Sequence, residues 1–159
     1  MTVLNESLRE IVLAAREGTE FYEYAASRVE PPYLRTAFGN MAKVKSDLLC
    51  ALQVALVDQP VRSNGADRTS EYPWGPYASG IYAGARAALR NNPPASCLEE
   101  LIVQEERILE SLYHAVEAAR LGESNPRIVE ILRLALPRMH LCHDALRRAR
   151  IRMTISNCR

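Results

Sequence analysis

Residues 31–58 read PPYLRTAFGNMAKVKSDLLCALQVALVD, and the fold turns on this stretch. Leu34, Phe38, Met41, Leu48, Leu52 and Ala55 recur every three or four positions, the spacing of one helix face. Pro31 and Pro32 precede that face, because proline suits a first helical turn and no deeper position. Lys45 falls in the middle of the stripe. A second stretch, SCLEELIVQEERILESLYHAVEAARL at 96–121, repeats the pattern. Its stripe is Leu98, Leu101, Ile102, Leu109, Leu112 and Val116, with Glu105 at the centre. Packed helices turn such stripes inward, which aims an ammonium and a carboxylate at the core. Lys and Glu are almost never fully buried unless paired. The expectation is therefore an interior Lys45–Glu105 ion pair, with Tyr22 or His143 meeting a remaining hydrogen bond. The competing reading lets both side chains snorkel to solvent.

Working outward, residues 3–29 place Leu8, Ile11, Val12, Ala15, Thr19, Tyr22, Ala26 and Val29 on one helix face. The short link to the next helix forces an antiparallel pair. Residues 59–76 are a loop by their Pro, Gly, Asn, Asp and Ser content. A loop of that length fits a crossover along a bundle. Tyr72 and Trp74 within it either pin the loop or anchor a partner. Residues 77–90 read as a short helix whose small side chains allow close packing or a dimer contact. Asn91-Asn92-Pro93-Pro94 ends it. Ser96 with Glu99 forms a capping box for the third main helix, which Gly122 closes. Ser124 or Asn125 caps a fourth, running to about Met153, in which Pro137 should cause a kink or local break. The predicted architecture is all-α and a single domain over 1–159. It is a four-helix bundle with a long crossover between helices two and three that carries the extra short helix, the connectivity of ferritin-like bundles.

Composition narrows the function. The 159 residues carry a net charge of +1, which argues against a nucleic-acid module with its strongly basic face. The terminal run RRARIR reads as solvated charge at a helix end. The opening MTVLNESLRE lacks a signal-peptide core, and no apolar run reaches a membrane span. Cys50, Cys97, Cys142 and Cys158 are scattered with no CxxC pair. Cys50 and Cys142 read as core or boundary residues, and the expected location is cytoplasmic with reduced thiols. There is no phosphate loop, dinucleotide fingerprint or GxSxG nucleophile elbow.

A bundle of this connectivity often holds two metal ions on a Glu from each of two helices and a Glu-x-x-His from each of the others. That set is not found here. Ala15 and Thr19 occupy the centre of the first stripe, while Glu17, Glu20 and Glu23 lie toward its flanks. Lys45 and Leu48 stand where Glu and His are wanted. Glu105 is present, but Ile108 follows at i+3. The last helix centres on Met139, Cys142 and Leu146, with His143 at the border and His140 further round. His114 reads as surface. Weak ligand candidates are Glu20, Glu105, His140 and His143, for iron or manganese. No metal is favoured. A lysine at a ligand position repels a cation and supplies its charge.

The stretch EFYEYAASRVEPPYLRTAFGNMAKVKSDLL resembles the first helix pair of rubrerythrin-like proteins. YAGARAAL, QEERILESLYHAV and HDALRRAR resemble segments of a bacterial ferritin-like four-helix family of unknown function. The resemblance covers nearly the whole chain. It implies a ferritin-like fold and a stress-related or metal-linked ancestry. On the rubrerythrin pattern Ala15, Lys45 and Leu48 match positions where Glu, Glu and His would ligate, and Glu105 alone is retained. His143 and Asp144 match the related family's His-Asp pair. The expectation is a non-catalytic bundle acting through self-assembly or a protein partner, without nucleic acid or membrane. The alternatives are a metal-binding rubrerythrin-like oxidoreductase and a small-ligand binder using the bundle interior.

Overall fold

Proline sets the helix boundaries. The structure is a computed structural model that describes residues 3–57, 80–91, 94–122 and 125–158. Helix α1 spans Val3–Arg28 and α2 spans Pro32–Val57. Between them Pro31 turns the chain, and its carbonyl accepts from the amides of Leu34 and Arg35. Arg35 reaches back to close the end of α1. Its Nε donates to the Val29 carbonyl at 3.0 Å and its Nη2 to the Glu30 carbonyl at 2.7 Å. Carbonyls beyond a helix end need such donors.

Helix α3 spans Ala83–Asn91, α4 spans Pro94–Leu121 and α5 spans Pro126–Asn157. Three expected boundaries move. Residues 81–82 form a turn, so the short helix starts only at Ala83. Helix α4 begins two residues before Ser96, because proline fits the first turn. Ser96 is then inside the helix, and Glu99 pairs with Arg150 rather than reaching back to a cap. Helix α5 continues through Pro137 and past Met153 without a break. Pro137 and Arg133, whose carbonyl would lose its donor, both lie on the exposed face, where water can replace the bond. Of the two expected caps, Asn125 acts: its Oδ1 accepts from the Arg127 amide at 2.9 Å. Ser124, Tyr72, Trp74 and the 59–76 loop lie outside the described residues.

Side-chain pairs fix the helix directions. Asp47 meets Arg138, and Arg152 lies over the Tyr33 ring, so α2 and α5 are antiparallel. Glu106 meets Arg147 and Glu99 meets Arg150, so α4 and α5 are antiparallel as well. It follows that α2 and α4 run parallel. The connection between them must return the length of α2, roughly 39 Å for its 26 residues. Helices α1, α2, α5 and α4 pack in that cyclic order, and α3 lies against α4. Among the described residues there is no strand, and no helix is long and apolar enough to cross a membrane.

The enclosed core follows the stripes. Leu34, Phe38, Met41, Leu48, Leu52 and Ala55 of α2 are all buried, as are Leu98, Leu101, Ile102, Leu109 and Leu112 of α4. Val116 and Thr19 are only partly covered. Cys50 is exposed and so is not the core or boundary residue expected, because it lies on the face of α2 opposite the stripe.

Candidate functional site

Lys45 and Glu105 are each 1% exposed, and they meet. Lys45 Nζ donates to Glu105 Oε2 at 2.9 Å. The parallel course of α2 and α4 brings the centres of their stripes to one level, so the pair forms across the core. The other oxygen, Glu105 Oε1, accepts two phenol hydroxyls: Tyr22 at 2.8 Å and Tyr82 at 2.7 Å. Each carboxylate oxygen thus has a donor, which a buried charge requires. Snorkelling does not occur.

Four elements build this centre. Tyr22 comes from α1, Lys45 from α2, Glu105 from α4, and Tyr82 from the turn that leads into α3. Tyr82 stacks on Phe21, with ring centroids 5.2 Å apart and planes 8° from parallel. Tyr22 meets Tyr82 edge-on at 5.7 Å and tilts against Phe38 at the same separation. The Lys45 ammonium also lies 5.9 Å from the centre of the Tyr82 ring, within reach of a cation–π attraction. Gly18 makes the space: a Cβ there would collide with Lys45 Cδ and stand 2.8 Å from the Tyr82 hydroxyl.

The electrostatics follow from burial. Burial first, and the Glu105 charge second, push both phenols well above the ordinary tyrosine range. Tyr22 and Tyr82 therefore act as neutral donors. Beside them Glu17 is half-buried, and its carboxyl is raised mainly by burial while the Ile81 amide pulls it down. Burial pushes the Cys97 thiol up to about 12 and also raises Cys142, which feels the charges of Lys45 and Glu105. Both thiols are held in the protonated, weakly nucleophilic form.

The sequence candidates divide clearly. Tyr22, Lys45 and Glu105 converge. His143 is buried but does not serve Glu105: its Nε2 lies 3.3 Å from the Ile102 carbonyl, which can only accept, so that nitrogen carries the proton. Of the two groups expected to meet a remaining hydrogen bond, Tyr22 does so and His143 does not, and Tyr82 is the further donor. His140 is bonded to the Tyr113 hydroxyl at 2.8 Å, outside the core. Glu20 and Glu23 are exposed, as is His114. Among the described residues no group of three or more His, Cys, Asp or Glu converges on one point. Tyr82 went unnoticed in the sequence because it precedes its helix and has no periodicity of its own. The available signal was an aromatic beside a run of small residues.

The donor set does not fit a di-metal centre. Among the described residues Glu105 is the one fully buried carboxylate at this centre, and its oxygens hold an ammonium and two phenol protons. No protein-family model, curated protein sequence or solved structure matches this chain.

Proposed function

We propose that this chain is a non-catalytic bundle of the ferritin-like type, in which a lysine ammonium holds the place of a metal cation, and that it works through assembly with itself or a protein partner. The observation that carries the reading is the closed shell around Glu105. Lys45 supplies the positive charge and two phenols supply the remaining donors, so the carboxylate is compensated without a cation. The parallel course of α2 and α4, with a long connection carrying α3, supports the ferritin-like frame. Reactive groups are muted: the interior thiols and phenols are all shifted toward their protonated forms. The close fit of Gly18 against Lys45 and Tyr82 argues against an interior small-ligand pocket.

The test is metal analysis of untagged protein after incubation with ferrous iron or manganese. The expected result is no stoichiometric metal in the wild-type chain. Two metal ions per chain would overturn this reading in favour of a rubrerythrin-type oxidoreductase.

A further inference from the structure

One side of the bundle carries opposite charges on neighbouring helices. Helix α4 turns an acidic row outward, with Glu99, Glu106, Glu110 and Glu117 all exposed at the three-and-four spacing of one face. Val103 sits in the same row and is 61% exposed. Beside this row α5 turns out Arg133, Asp144, Arg147 and Ile151, the last 60% exposed, a face that is basic on balance. The rungs Glu99–Arg150, Glu106–Arg147 and Tyr113–His140 cross the seam between the two helices and define which residues lie level. By those levels Val103 lies within a turn of Ile151, and Glu117 within a turn of Arg133.

We propose that the outer α4–α5 face is a two-fold interface with a second copy of this chain. The inference rests on the assembly reading and names its partner. Charge selects both occupant and geometry. Two such faces related by a two-fold have two arrangements. An axis across the helices lays α4 on the second copy's α4, acid against acid. An axis along the bundle lays α4 on the second copy's α5, a net acidic row against a net basic one, with Glu110 level with the second copy's Asp144 as the like-charged exception, and this is the more favourable of the two. Rotation about that axis leaves height along the helices unchanged, so the register is fixed by symmetry. Each α4 residue meets the level α5 residue of the other copy. Val103 then packs on Ile151 of the second copy, and Glu117 pairs with its Arg133. Within one chain Glu117 bridges to Arg120, an exposed neighbour on its own helix that leaves it free to turn.

The test is sedimentation equilibrium on the full chain, with Glu117→Arg, with Arg133→Glu, and with the two variants mixed. The wild type should dimerise. Each single variant should raise the dimer Kd by roughly tenfold or more, because both symmetry copies of the contact become like-charged. The mixture should dimerise like the wild type, since both contacts in the mixed dimer join Arg to Glu. Both positions are exposed, so helical circular dichroism should not change. A dimer indifferent to both substitutions overturns this face while the assembly reading stands. A mixture no tighter than its components also overturns it. A wild-type chain that is monomeric at roughly 100 µM, well above the range of specific interfaces, overturns the second copy as partner.

Discussion

The Lys45 side chain is fixed at one end by the α2 backbone and at the other by Glu105, and its Cδ and Cε pass through the space left at Gly18. Its charge is tolerable in the core only because Glu105 lies 2.9 Å away. The two desolvation costs are offset by the pairing and by the two tyrosine hydrogen bonds, so the net contribution to stability is small. The cost of breaking the pair is not small. Lys45→Met leaves a buried carboxylate with no counter-charge and should lower unfolding free energy by about 3–5 kcal/mol. Lys45→Met with Glu105→Gln removes both charges while an amide oxygen still accepts the Tyr22 and Tyr82 hydroxyls, and should recover part of that loss. Urea titration of the single and double variants checks this. Equal destabilisation of both would show that packing, not charge, accounts for the effect.

The interior centre also depends on how the elements approach one another. Gly18 lies in α1, where glycine costs about 0.5–1 kcal/mol relative to alanine. Propensity alone therefore predicts that Gly18→Ala stabilises. The contacts reverse the sign. The new methyl would strike Lys45 Cδ and crowd the Tyr82 hydroxyl. Lys45 cannot swing aside, because its two ends are fixed by the helix and by Glu105. Overpacking of this kind costs about 1–3 kcal/mol. A lowered melting temperature for Gly18→Ala is expected, and a raised one would place Lys45 elsewhere. The stripes of α2 and α4 were legible before the structure because burial follows helical period. The start of α4 was not, since Ser96 and Glu99 match a cap as well as a first turn.

For the whole molecule, the buried phenols couple stability to alkaline pH. Tyrosines in the unfolded chain ionise near pH 10, whereas Tyr22 and Tyr82 in the folded chain hold their protons well above it. Above about pH 10 the unfolded state therefore binds fewer protons than the folded one, and stability falls as pH rises. The contribution is fully present below about pH 10 and is lost as pH climbs toward the folded values. Urea unfolding between about pH 8 and pH 11 should show the decline. The double substitution Tyr22→Phe with Tyr82→Phe should make it shallower. An unchanged slope would mean that other groups govern the alkaline limb.

By itself the sequence determined the helices and the two interior charges, because a 3.6-residue period and proline punctuation are local properties. It also indicated Tyr22, which shares a stripe with the α1 core. Only the tertiary structure decided who completes the shell of Glu105. Tyr82 arrives from a turn before α3, and His143 faces the Ile102 carbonyl instead. Hydrogen bonds to a buried carboxylate depend on where backbones cross in space, which periodicity along one chain does not encode.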